Sequence, residues 1–257
     1  MISKARIKQI KALERKKERT EQGLFIAEGP KLVGELLAVA VPQYVATTEL
    51  WLEQNRHKLP PTTAVDIVSE EELRRASLQQ HPQSVIALFP TPREDEEDLL
   101  SLTKTELMLA LDGVQDPGNI GTIVRIADWF GIRHILCSTD CADIFNPKAT
   151  QATMGALARV RLHYTDLPQF LSQIHSPIYG TFLDGENIYR HTLTQHGVIV
   201  MGNEGRGIST SVAKHVSQRL LIPPYPANRP TVESLNVAIA TAIVCAEFRR
   251  NTNGNKE

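Results

Sequence analysis

Three loops in the second half of the 257-residue sequence gather the glycines, asparagines and charged residues that chemistry would need. The first runs from Asp112 through Gly113, Asp116, Pro117, Gly118, Asn119 and Gly121 to Arg125. Its glycines and proline let the backbone approach another group closely, and Asn119 can satisfy N–H groups at a helix start. An arginine one turn into a helix, after such a loop, is placed to grip a phosphate. It could equally pack over a sheet and pair with Asp112, Asp116 or Asp128. The second loop, Met201-Gly202-Asn203-Glu204-Gly205-Arg206-Gly207, leaves the strand-like run Val198-Ile199-Val200. Its G-x-x-G-x-G order is not the dinucleotide G-x-G-x-x-G, and it lacks the Lys-Ser/Thr of a phosphate-binding P-loop. The third links Ile222-Pro223 to Ser234-Leu235-Asn236-Val237-Ala238, with Ser234 as the N-cap of an alanine-rich helix. Taken singly, each has an ordinary reading: a paired arginine, a turn and a terminal core helix.

The elements that must position these loops alternate. Strand patterns at Leu107–Leu111, His134–Cys137, Arg159–His163, Ile178–Phe182, Val198–Met201 and Arg219–Leu221 are separated by helical ones at about 118–130, 147–154, 166–174, 208–214 and 234–250. This predicts an α/β domain with a mostly parallel sheet covered on both faces. Ligands in such sheets sit at the carboxyl ends of the strands, where the three loops fall. An earlier α/β unit is expected from short strands at Leu24–Ala27, Tyr44–Ala46, Val65–Val68 and Ser84–Leu88, with a helix over about 30–40. The first 20 residues read as one basic helix with few core positions. The run Pro90-Thr91-Pro92-Arg93-Glu94-Asp95-Glu96-Glu97-Asp98 has the composition of a linker. The expected domains are therefore 1–95, a linker over 96–105, and 106–257.

Bulk composition narrows the classes. An apolar fraction of 42% and a charged fraction of 22% fit a soluble globular protein. The apolar runs are strand-sized, so no membrane span or signal peptide is read. Cys137, Cys141 and Cys245 fit neither an even disulfide framework nor a common zinc spacing, which predicts reduced thiols, no metal and a cytoplasmic protein. The net charge of −1 hides a basic block: Lys4, Arg6, Lys8, Lys11, Arg15, Lys16, Lys17 and Arg19 against Glu14 and Glu18. Such a block is either a footprint for nucleic-acid phosphates or a solvated helix face.

Together, in this order and spacing, the three loops resemble the SpoU (TrmH-like) family of RNA ribose methyltransferases. The match rests on Asp116-Pro117-Gly118-Asn119-Ile120-Gly121 with Arg125, on Gly202-Asn203-Glu204-Gly205-Arg206-Gly207, and on Ile222-Pro223 with Ser234-Leu235-Asn236-Val237-Ala238. It spans roughly residues 106–245. Residues Gly23–Gly29 resemble the same family's ribosomal-protein-like (L30e-like) substrate-binding domain, over a shorter stretch. The resemblance implies a deep trefoil knot in the C-terminal domain, a homodimer formed through it, S-adenosylmethionine as cofactor and RNA as substrate. Gly202, Ile222 and Leu235, with Met201 and Asn203 beside them, would line the cofactor pocket. Arg125, Asn119, Glu204, Ser234 and Asn236 would form the reacting centre. The loop over 224–233 is longer than this family's usual link, so its cofactor contacts are left open.

The implied reaction moves a methyl from a sulfonium to a ribose 2′-hydroxyl, in RNA that is ribosomal ahead of transfer RNA. The tilt to ribosomal RNA comes from the two-domain build and the short, nearly neutral tail over 251–257. No His or Cys falls inside the motifs, so neither an imidazole base nor a covalent thiol is suggested. The resemblance makes Arg125 the general base, yet a free guanidinium has a pKa above about 12. The other reading keeps Arg125 charged, fixing a phosphate and stabilising the developing alkoxide. Glu204 and Asn119 would orient Arg125 or the ribose, while Ser234 and Asn236 help close the site. The competing function is a non-catalytic RNA-binding or ribosome-assembly protein that retains the fold.

Overall fold

In β1 (Leu24–Glu28) alternate residues face opposite layers: Leu24 and Ile26 enter one apolar cluster, Phe25 and Ala27 another. The strand therefore has to be covered on both sides. It pairs with β4 (Val85–Pro90), and β2 (Tyr44–Thr47) and β3 (Ala64–Ile67) complete a sheet of order β1-β4-β2-β3. Only the β2–β3 pair is parallel; β4 runs antiparallel to both its neighbours. Ile10 and Leu13 from the amino-terminal segment cover one face, and Leu32, Val33, Leu36 and Trp51 cover the other.

The structure, a computed structural model, describes residues 1–92, 97–226, 232 and 234–250. Its described residues divide into two compact units, one from 1–93 and 143–158, the other from 94–142 and 159–257. The acidic stretch 93–96, the loop residues 227–231 and 233, and the tail 251–257, on which readings of linker, loop and charge were placed, lie outside the described residues.

Two features of the first unit differ from the sequence reading. The basic block is two helices, Lys4–Ala12 and Lys16–Gln22, not one. The buried Arg19 guanidinium donates to the carbonyls of Leu13 (2.8 Å) and Glu14 (2.7 Å). A continuous helix would use those two oxygens internally, so the arginine takes the place of the missing turn. The same side chain holds Asp143 at 2.6 Å. That contact belongs to the second difference: 143–158 was expected in the C-terminal domain but packs into this unit. Its short helix Pro147–Ala152 lies against β1, and the Phe145 ring sits 4.8 Å from Phe25.

The second unit is built on β5 (Leu107–Asp112), β6 (His134–Ser138), β7 (Arg161–Thr165), β8 (Ile178–Asn187), β9 (Gly197–Gly202) and β10 (Gln218–Leu221). The order is β10-β8-β9-β5-β6-β7 and every pair is parallel. β5 and β6 are buried along their whole length, as strands covered on both faces must be. Register aligns Leu111 with Met201 and with Cys137, so the carboxyl ends of β9, β5 and β6 open side by side. Helices Pro117–Trp129 and Val237–Arg250 pack on each other in this unit. Among the described residues no helix is long and apolar enough to cross a membrane, and no group of three or more His, Cys, Asp or Glu could hold a metal ion.

Candidate active site

Helix Pro117–Trp129 begins where the sequence placed it, but its cap is Asp116. That carboxylate accepts from the Asn119 N–H at 2.9 Å, and Pro117 fills the first turn, where a missing N–H costs nothing. Asn119 was expected to serve the helix start; relieved of it, its side chain is free to point elsewhere. Its Nδ2 donates to Glu204 Oε1 at 2.8 Å, and its Oδ1 accepts from Asn236 Nδ2 at 3.0 Å. One side chain from each of the three loops thus joins a single hydrogen-bonded line.

The direction of that line is fixed at both ends. An ionised Glu204 can only accept, so Asn119 must turn its amide NH2 toward it and its oxygen toward Asn236. Asn236 then donates with its own NH2 and accepts with Oδ1 from Ala238 N (2.9 Å) and Ile239 N (3.3 Å). The N-cap of the last helix is therefore Asn236. Ser234, predicted for that role, is exposed and outside the line, because the first intrahelical bond runs from Ala240 N to Asn236 O.

Arg125 lies on the solvent side of the same helix, opposite the buried Ile120, Ile123 and Ala127. It makes no hydrogen bond or ion pair with a described residue. The three carboxylates offered as alternative partners are engaged: Asp112 accepts from Ser209 N at 2.6 Å, Asp116 caps the helix, and Asp128 pairs with Arg159 at 2.9 Å. Arg125 is carried by the same helix as Asn119, and no described residue pairs with it.

The glycine-rich loop is a closed turn. Asn203 and Gly207 exchange two backbone hydrogen bonds of 3.0 and 2.9 Å, and Gly207 has a φ of +69°. Asn203 spends its side chain on this geometry, accepting from Gly205 N and Arg206 N and donating to the Gly113 carbonyl at 2.7 Å. Of the residues expected to line a cofactor pocket, Met201 is buried in the sheet with Thr181 against its sulfur, so it offers backbone only. Gly202 ends β9, Ile222 is half-buried just past β10, and Leu235 is 46% exposed ahead of the last helix.

A brace beneath the first loop escaped the sequence reading. Ser138, the last residue of β6, accepts from the Gly113 N–H at 2.8 Å and donates to Asp140 at 2.6 Å. Ala142 N reaches the Val114 carbonyl at 2.9 Å, and the Cys141 thiol reaches the Leu111 carbonyl at 3.2 Å. Hydrogen bonding with Cys137 brings the Cys141 thiol down to about 7 against the effect of its burial, and its polar contacts with Ser138 and the Val114 and Gly113 backbone act in the same direction. The only sequence signal was position: a serine ending the strand next to β5. Since Gly113 in turn holds Asn203, the brace connects Asp140 through two loops to Glu204's turn. Ser138→Ala is expected to lower catalytic turnover by roughly tenfold, the scale of one buried hydrogen bond lost, with Ser138→Thr restoring most of it. Steady-state kinetics of both variants check this; equal losses in the two would show that packing, not the hydroxyl, is what matters.

These features are those of an α/β enzyme acting at the carboxyl ends of a parallel sheet. The family model for SpoU rRNA methylases matches residues 106–246, and one for an MRM3-like substrate binding domain matches 4–87. The chain belongs to the SpoU rRNA methylase family. A TrmH-family RNA methyltransferase from Porphyromonas gingivalis is 43% identical, with 97% of this chain and 99% of that one aligned at a TM-score of 0.85. An AdoMet-bound rRNA methyltransferase from Sinorhizobium meliloti is 28% identical, covering 97% and 96% at a TM-score of 0.84. The 23S rRNA guanosine 2′-O-methyltransferase RlmP of Bacillus subtilis is 29% identical over 95% of this chain and 96% of its own length.

Proposed function

We propose that this protein transfers a methyl group from S-adenosylmethionine to a ribose 2′-hydroxyl of RNA, ribosomal RNA ahead of transfer RNA. The observation that carries the reading is the line Asn236–Asn119–Glu204, whose central residue shares its helix with an exposed Arg125 that pairs with no described residue. The relatives support it, since RlmP is a 23S rRNA guanosine 2′-O-methyltransferase and the Sinorhizobium enzyme binds AdoMet.

The residues present suit that cofactor. Gly202 ends β9 packed against the Gly207–Ile208 backbone of its own turn, so the loop presents main chain there, while Ile222 and Leu235 supply apolar cover from the two sides of the loop that follows β10. Met201 and Asn203 serve by backbone and by loop shape. The cofactor supplies an electrophilic methyl on a sulfonium, so the chain's own residues need only align the ribose and manage its proton. Arg125 remains charged, grips the adjacent phosphate and stabilises the oxygen as it loses its proton. Glu204 and Asn119 orient the ribose, and Ser234 and Asn236 close the site over it.

The same reading includes a trefoil knot in the C-terminal unit and a homodimer. Support for the knot comes from the family and from the return of Asn236, beyond edge strand β10, to Asn119 beside β5. Support for the dimer comes from Trp129 (85% exposed) and Ile239 (55%) on the two packed helices. Sedimentation equilibrium should give twice the 28.6 kDa chain mass; a monomer at micromolar concentration would remove the dimer. The protein acts in the cytoplasm, and its substrate-binding domain is built from the residues before about 95 with 143–158 added to it.

The deciding experiment is transfer of labelled methyl from S-adenosylmethionine to total RNA lacking the native modification. Label on a ribose 2′-oxygen is the expected result, and mapping it identifies the nucleotide. Neither transfer nor cofactor binding would leave the non-catalytic RNA-binding reading in its place.

A further inference from the structure

A cavity of about 440 Å³ opens within the amino-terminal unit, a volume in the range of small-ligand pockets. Its polar lining comes from Glu14 between the first two helices, from β1, from the turn after residue 77 and from the segment around 146–151. Glu28, only 4% exposed, lies at its wall and accepts hydrogen bonds from the Ser77 hydroxyl and from Leu78 N (3.0 Å). Burial pushes its carboxyl above the usual carboxylate range, and the two donors pull it back. Both protein partners are donors, so the carboxylate is held as an acceptor with lone pairs to spare. Gln79 and Gln151, half-buried on the lining, make no side-chain hydrogen bond with a described residue. Two uncommitted carboxamides beside a buried acceptor are what a ligand with a patterned donor–acceptor edge would use.

A second observation bears on what presents that edge. Of the eight cations in the basic block, Arg19 is buried and Arg6 lies 4.0 Å over the Tyr44 ring. Lys4, Lys8, Lys11 and Lys16 are exposed and unpaired among the described residues, on helices of this same unit. Lys4, Lys8 and Lys11 recur one helical turn apart on one stripe, which suits the phosphodiester backbone of a nucleic acid.

We propose that the cavity bounded by Glu28, Gln79 and Gln151 recognises the guanine base of an unpaired nucleotide. The inference rests on the RNA-substrate reading above and adds a base-reading site in the unit that does not carry the reacting loops. Guanine offers two adjacent donors, N1–H and the N2 amino group, to one carboxylate, and acceptors O6 and N7 to carboxamide donors. Adenine sets its N1 lone pair against the carboxylate. Uracil offers a single N3–H donor between two acceptors, and cytosine a single amino donor next to two acceptors, so neither presents two adjacent donors. Unpaired loops are where RNA presents a base edge to a pocket. The recognised guanine is a docking base, independent of which nucleotide is methylated.

The test measures affinity of the full-length protein for short single-stranded RNAs that differ at one position, guanine, inosine or adenine. Guanine is expected to bind about tenfold or more tightly than adenine, with inosine, which lacks the N2 amino group, between them. Glu28→Gln and the double variant Gln79→Ala/Gln151→Ala should each reduce that preference to below about threefold. The double variant leaves the Ser77 and Leu78 bonds to Glu28 intact, so it reads recognition even if Glu28→Gln fails to fold. Equal binding of guanine and adenine RNAs by the wild type overturns the proposal, as does full discrimination retained in the double variant. GMP added as competitor separates the sources. Displacement by GMP but not AMP assigns the site to free guanine nucleotides, and discrimination without displacement assigns it to a base held in RNA. Methyl transfer is measured alongside: transfer without discrimination removes only this site, and discrimination without transfer removes only the reaction.

Discussion

Arg125→Ala should lower methyl transfer to RNA by about 10²- to 10³-fold while S-adenosylmethionine affinity stays within about twofold. The size follows from where the side chain stands. It is exposed and pairs with no described residue, and Asp112, Asp116 and Asp128 are each occupied by other donors. Its removal therefore costs the fold little, with no buried partner orphaned and no cavity opened. Whatever is lost must be an interaction with substrate or transition state. A charge that grips a phosphate and meets an alkoxide is worth most when oxygen becomes negative, so the loss belongs in kcat more than in KM. Single-turnover transfer and calorimetry of the cofactor check the two halves separately. A variant with normal transfer would move the reacting centre off this helix. The pH dependence of the residual rate adds a second arm: a steep dependence surviving in Arg125→Ala removes Arg125 as general base and leaves it as the charged stabiliser.

The three loops that meet in the candidate site were legible in the sequence because their residue types are distinctive locally. Glycines, asparagines and prolines at the ends of aliphatic runs mark carboxyl-end loops in a parallel sheet, and the six strands alternate with helices as read. What was not legible depends on residues far apart in sequence. Nothing near Arg19 shows that its guanidinium takes two carbonyls and Asp143, which both breaks the first helix and anchors 143–158 in the amino-terminal unit. The helix Pro147–Ala152 is too short for periodicity to say which sheet it covers. The role of Ser138, one residue past the strand read as His134–Cys137, depends on β6 pairing with β5. The shift of the last N-cap from Ser234 to Asn236 has the same origin. Both residues cap well, and the choice was made by Asn119, 117 positions away.

Gly202→Ala should weaken S-adenosylmethionine binding by about tenfold or more and lower the melting temperature, whereas Gly205→Ala should do neither. A Cβ at Gly202 would lie 2.2 Å from the Gly207 carbonyl carbon and 2.3 Å from Ile208 N. Real Cβ contacts essentially never fall under 3.0 Å, and these neighbours are backbone, which cannot swing aside as a side chain would. The turn must open, at a cost of about 1–3 kcal/mol for overpacking. Opening separates Asn203 from Gly207 and pulls Asn203 off the Gly113 carbonyl. Glu204 sits inside that turn, so its bond to Asn119 is lost with it, and one methyl group disturbs both the loop proposed to meet the cofactor and the hydrogen-bonded line proposed to hold the ribose. At Gly205 the nearest atom to an added Cβ is Asn203 Oδ1 at 3.7 Å, an ordinary contact on an exposed loop. The pair of variants therefore separates a close backbone approach from general glycine flexibility. Matching affinities and melting temperatures in the two would show that the tight turn does not shape the cofactor site.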